Sequence, residues 1–106
     1  MLFDHDGKRI AGRARLANRG TSLDILEGIV SEATAAGREV AALMREGHPW
    51  ELSVGISGAY ETCDRRRPVT LNGRSMALDL VMRRARLLEV SFVVAGADPN
   101  TSASRI

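Results

Sequence analysis

A serine hydroxyl, an imidazole and a carboxylate held in one chain of hydrogen bonds can carry out acyl transfer. Serine holds its proton too tightly to attack a carbonyl unaided. A histidine in reach can take that proton, and a carboxylate can hold the histidine ring in the useful tautomer. Two short runs and one early residue supply the three groups. In Glu51-Leu52-Ser53-Val54-Gly55-Ile56-Ser57, Leu52, Val54 and Ile56 fall on one face of a strand, with Glu51, Ser53 and Gly55 on the other. In Leu88-Glu89-Val90-Ser91-Phe92-Val93, Leu88, Val90 and Phe92 share one face, with Glu89 and Ser91 opposite. A glycine two residues after Ser53 leaves open space beside that hydroxyl. His5, in Leu2-Phe3-Asp4-His5-Asp6, supplies the imidazole, and Asp4 and Asp6 would raise its basicity.

Taken in order, these three stretches and the closing Gly96-Ala97-Asp98-Pro99-Asn100 resemble the tailed-phage prohead protease family. Its members are capsid-maturation serine proteases related in fold to the herpesvirus assemblins. The resemblance runs from about Leu2 to the C-terminus. It places the nucleophile on Ser53 of Leu-Ser-Val-Gly and the base on His5 of Asp-His-Asp. It places the orienting carboxylate on Glu89 of Leu-Glu-Val-Ser, with Asp79 as a second candidate and an ion pair with Arg86 as the plain alternative for Glu89. Ser91, two residues on and on the same face, is expected to support that carboxylate. Arg83 and Arg84 are the nearest analogues of the arginine that serves the oxyanion in the assemblins.

The resemblance implies a serine endopeptidase that cleaves scaffold and the N-terminal segment of the capsid protein inside the procapsid, in the host cytoplasm. The implied partners are scaffold, major capsid protein and a second copy of the chain, with no cofactor. The alternative is a catalytically inactive or truncated capsid-assembly module of the same fold. Family members carry strands upstream of the active-site histidine, whereas this chain starts four residues before His5. Absent N-terminal strands would leave an exposed sheet edge and an incomplete core.

The elements that must position these residues read as α+β: a small, mostly antiparallel, β-barrel-like sheet with one main helix. Gly7-Lys8 is a turn signal, residues 10–17 a strand with one solvated face, and Asn18-Arg19-Gly20 a turn. Residues 23–30 read as the return strand of a hairpin, although Leu23, Leu26, Ile29 and Val30 also fit helical spacing. A helix is expected over residues 31–46, capped by Ser31 or Thr34, with Ala36, Val40, Leu43 and Met44 as its apolar stripe and Gly47 as its stop. Trp50–Tyr60 is the serine-bearing strand, with a bulge or bend at Gly58. Asn72-Gly73 after Val69-Thr70-Leu71 signals a tight hairpin. Residues 76–82 and 85–95 read as two strand pieces, or as one long strand bent at Arg83-Arg84. The domain would span residues 1–97, followed by a polar tail over 98–106 that reads as a linker or frayed end.

Composition narrows the alternatives. A 106-residue chain that is 44% hydrophobic and 26% charged is suited to one small globular domain. No apolar run is long enough to cross a bilayer as a helix, and the first residues lack the pattern of a signal peptide. The lone Cys63 has no internal disulfide partner, as suits a reducing compartment. Net charge is only +2, and aromatics make up 4% of residues, so the runs Arg65-Arg66-Arg67 and Arg83-Arg84 with Arg86 read as solvated arginines rather than a nucleic-acid footprint. One cysteine and two histidines are too few for a metal centre. His48, after the helix, reads as an ordinary C-terminal cation.

Overall fold

The first strand of the chain lies beside the last. In the computed structural model, which describes residues 1–20, 22–71, 73–98 and 100–103, β1 (Leu2–Phe3) pairs parallel to β8 (Leu80–Val93), setting Leu2 opposite Ser91 and Phe3 opposite Phe92. On its other side β1 pairs antiparallel with β2 (Asp6–Ile10), and β8 pairs antiparallel with the long β5 (Glu51–Thr62). The resulting four-stranded sheet has the order β2-β1-β8-β5. Two hairpins stand apart from it: β3 (Gly12–Asn18) with β4 (Leu23–Val30), and β6 (Val69–Leu71) with β7 (Arg74–Met76). The architecture is α+β with mostly antiparallel strands, and its sheets do not close into a barrel.

The turn between β1 and β2 falls at Asp4-His5, not at Gly7-Lys8, which lies within β2. Both turn residues have positive φ, 52° and 57°, as a two-residue type I′ connection requires. Neither is glycine, so the conformation costs energy that its surroundings must offset. Two bonds to β8 do so: the Asp4 N–H donates to Phe92 O at 3.0 Å and the His5 N–H donates to Ser91 Oγ at 3.0 Å.

The helix, α1 (Ala35–Arg45), begins four residues later than the expected 31. Thr34 is its cap: Oγ1 accepts from the Gly37 N–H at 3.0 Å and donates to Ile10 O at 2.6 Å. Ser31 serves a separate turn: its Oγ accepts from the Ala33 N–H at 3.1 Å and its own N–H donates to Ala11 O at 2.7 Å, so residue 31 follows the β3–β4 hairpin rather than opening the helix. At Gly37 any β-carbon would collide with the Ser31 and Ala11 carbonyls, so glycine allows the helix backbone to rest directly on that hairpin. Gly47, at φ +87°, ends the helix. The Gly47 N–H donates to Met44 O and the His48 N–H to Leu43 O, the paired bonds of a Schellman stop.

The expected stripe forms the core. Ala36 and Val40 are buried with Ala11, Trp50 and Phe92, and Leu43 and Met44 pack at the margin. Trp50 organises this cluster. Its ring meets Phe3 and Phe92 edge-on at centroid distances of 5.6 and 6.0 Å, and its Nε1–H donates to Val40 O at 3.3 Å.

β8 runs unbroken from Leu80 to Val93, so the residue 85–95 piece belongs to one long strand. The expected 76–82 piece does not exist as such: Met76 ends β7, and the chain enters β8 at Leu80. Arg84, at φ 54°, marks the expected bend, where the register slips between Ser57 and Ala59 of β5. The outer half of the β5–β8 ribbon projects beyond the core. The molecule measures 49 × 24 × 22 Å with a radius of gyration of 15.9 Å, against about 13 Å for a compact chain of this length. Asn72 of the expected hairpin turn lies outside the described residues, but Leu71 pairs with Arg74 across it.

The tail is not free where it is described. Thr101 Oγ1 accepts from the Leu52 N–H at 2.9 Å, and the Ala103 N–H donates to Trp50 O at 3.2 Å. Pro99 and residues 104–106 of the expected tail lie outside the described residues.

Val40 is fully enclosed beneath Trp50, so Val40→Ala removes two buried methyl groups from a small core. A loss of about 2 kcal/mol is expected, read as a lower urea midpoint with an unchanged slope.

Candidate active site

Strand pairing sets three side chains on one face. Ser53 of β5 lies directly opposite Ser91 of β8, and Gly55 lies opposite Glu89. Because paired residues share a face, Ser53, Gly55, Glu89 and Ser91 form one polar patch on the side away from Leu52 and Phe92. The β1–β2 turn then lowers His5 onto that patch from the neighbouring side of β8.

Four hydrogen bonds join the group. His5 Nδ1 bonds Glu89 Oε1, and His5 Nε2 lies 2.9 Å from Ser53 Oγ. A carboxylate only accepts, so Nδ1 carries the ring proton and Nε2 presents its lone pair to the serine hydroxyl. The Ser91 hydroxyl donates to the second carboxylate oxygen, Glu89 Oε2, at 2.6 Å, and accepts from the His5 backbone N–H. The His5 ring is 42% exposed and the Glu89 side chain 19% exposed. The imidazole therefore opens to solvent while the carboxylate it bonds stays sheltered.

His5, Ser53 and Glu89 come together from positions 48 and 84 residues apart in the chain. Asp79, the second carboxylate candidate, does not join them. It pairs with Arg65 at 2.8 Å, near the Thr62–Leu80 end of the ribbon. That end is nine β5 residues from Ser53, roughly 30 Å along the strand. Arg83 and Arg84 are also remote. Arg83 faces Ala59, roughly 20 Å from Ser53 along β5, and its guanidinium pairs with Glu61 at 2.9 Å. Neither arginine reaches an oxyanion at Ser53. Glu89 has His5 and Ser91 as its partners, not Arg86.

The basic loop before β6 is partly self-neutralised. The Arg66 guanidinium and backbone N–H both bond Asp64, holding that carboxyl below the usual carboxylate range. Among the described residues no cluster of three or more His, Cys, Asp or Glu side chains is arranged to hold a metal ion.

Gly55 has a role that alternation alone does not reveal. The space beside Ser53 is filled by the Glu89 side chain, which lies across the Gly55 backbone. A β-carbon at residue 55 would overlap Glu89 Oε1 and stand 3.1 Å from its Cγ and Cδ. The readable signal was glycine in the middle of a strand, which marks close approach by a neighbour. A second feature bounds the patch. The register slips between Gly55 and Ile56, so Ile56 faces Leu87 and Leu88 is the extra residue. Leu88 therefore does not share a regular face with Val90 and Phe92, and the polar patch ends at Glu89.

No protein-family model, curated protein or solved structure matches the chain.

Gly55→Ala should leave the fold intact, because the atoms it meets are the flexible end of one side chain. It should push the carboxylate off His5. A displacement near 1 Å would slow any Ser53 acylation about 100-fold, measured as the rate of fluorophosphonate labelling at an unchanged unfolding midpoint.

Proposed function

We propose that this chain is a serine endopeptidase of the prohead protease type. The observation that supports it best is the 2.9 Å approach of Ser53 Oγ to His5 Nε2, with Nδ1 of the same ring bonded to Glu89. The motif resemblance adds the biological setting.

In the proposed cycle, Ser53 Oγ attacks the scissile carbonyl while His5 Nε2 takes its proton. Glu89 holds the ring and stabilises the imidazolium that results. The imidazolium then gives its proton to the departing amine as the peptide bond breaks, leaving an acyl-Ser53 ester. A water molecule, deprotonated by the same nitrogen, hydrolyses the ester and restores the hydroxyl. The substrates would be scaffold and the N-terminal segment of the major capsid protein, inside the procapsid in the host cytoplasm. A second copy of the chain is the third proposed partner.

An active-site serine reagent separates this reading from the capsid-assembly module without turnover. A fluorophosphonate probe should label the wild-type chain at Ser53, and Ser53→Ala should abolish labelling while the fold persists, since the residue is small. His5→Ala should slow labelling at least about 100-fold. Co-expression with tailed-phage scaffold and capsid protein should yield shortened products only when Ser53 is present. A folded wild-type chain that resists the probe would leave the assembly module as the function.

A further inference from the structure

We infer that Ser91 is a positioning residue, whose one buried hydroxyl locks the His5-bearing turn to the carboxylate that orients the imidazole. The inference rests on the acyl-transfer reading of His5, Ser53 and Glu89.

Ser91 is 0% exposed, and among the described residues it is the only buried polar one. A buried hydroxyl must find partners, and a serine offers one proton and two acceptor lone pairs. Here the proton goes to Glu89 Oε2 at 2.6 Å, and a lone pair accepts the His5 backbone N–H at 3.0 Å. The two bonds act on opposite ends of the same contact. One fixes the backbone of the residue carrying the imidazole. The other fixes the carboxylate oxygen that His5 does not use, so Oε1 is turned toward Nδ1. A carboxylate held at one oxygen can swing about its last torsion; held at both, it cannot. Ser91 also sits directly across from Ser53, so base, carboxylate and nucleophile are all referred to one point on β8.

A hydroxyl that merely satisfied a core position would leave the ring's hydrogen bond untouched when removed. Two readouts distinguish the cases. In Ser91→Ala, fluorophosphonate labelling of Ser53 should slow about 10- to 100-fold. The His5 Nδ1 proton, expected far downfield in the wild-type chain because Nδ1 bonds a carboxylate, should move upfield or broaden by exchange. Ser91→Cys, of similar size but a weaker donor, should fall between the two. Wild-type labelling rate with an unchanged Nδ1 resonance in Ser91→Ala would overturn the inference. A measurement on the unmodified chain covers the case in which the alanine variant does not fold. The His5 amide, at the tip of a solvent-facing turn, should exchange slowly with deuterium because Ser91 accepts it. Exchange at the rate of a free amide would overturn the inference as well. This differs from failure of the protease reading, which would show as a wild-type chain that is not labelled at all.

Discussion

Parallel pairing of a two-residue strand with the end of β8 is the constraint on which the rest of the structure depends. It brings Phe3 to Trp50 in the core and, one turn later, His5 to the polar face of β8. The core and the candidate site are thus two sides of the same contact. Phe3 and Phe92 face the helix layer while the backbone of Asp4 and His5 hooks onto Phe92 and Ser91. Positive φ at two non-glycine residues is tolerated because these bonds and the aromatic packing hold the strand that leads into the turn.

The polar patch is bounded by geometry as well as by residue type. Alternation places Ser53, Gly55, Glu89 and Ser91 on one face only while the register is regular. The slip after Gly55 ends that regularity and turns Leu87 opposite Ile56. Beyond it the ribbon carries exposed apolar side chains, including Ile56, Tyr60 and Leu88. The cluster of His5, Ser53, Glu89 and Ser91 therefore occupies the short stretch of β5 and β8 nearest the core, where the two strands are braced by β1 on one side and by Thr101 on the other.

Much of this was readable in the residues. The helix stripe was legible because Ala36, Val40, Leu43 and Met44 repeat at helical spacing, and packing against one layer demands that spacing. The strand over Leu23–Val30 was legible but shared its pattern with a helix; pairing with β3 decides it. His5, Ser53 and Glu89 were named through motif resemblance, and strand alternation alone supplied only which face Ser53, Glu89 and Ser91 occupy. What alternation could not supply was register. The role of Gly55 depends on Glu89 standing opposite it, and the fate of Leu88 on a slip that no local pattern announces. The turn was misplaced for a related reason. Gly7 is a strong local turn signal, whereas Asp4-His5 turns only because distant atoms on β8 accept its N–H groups. The helix begins later than Ser31 suggests because that hydroxyl accepts from the Ala33 N–H in a turn of its own, and Thr34 takes the cap.

His5, just after β1, and Glu89, on β8, meet although they stand 84 residues apart in the chain. Closing a loop of that length costs about 3 kcal/mol more chain entropy than closing a connection of a few residues such as that between β3 and β4. Local hairpins can therefore form before the first and final strands meet. Ser53 precedes Glu89 and Ser91 in the chain, so β5 is made before the part of β8 that pairs with β1. Assembly of the His5, Ser53 and Glu89 side chains is thus tied to the pairing of β1 with β8, and a fold in which those two strands have not met cannot bring the three together.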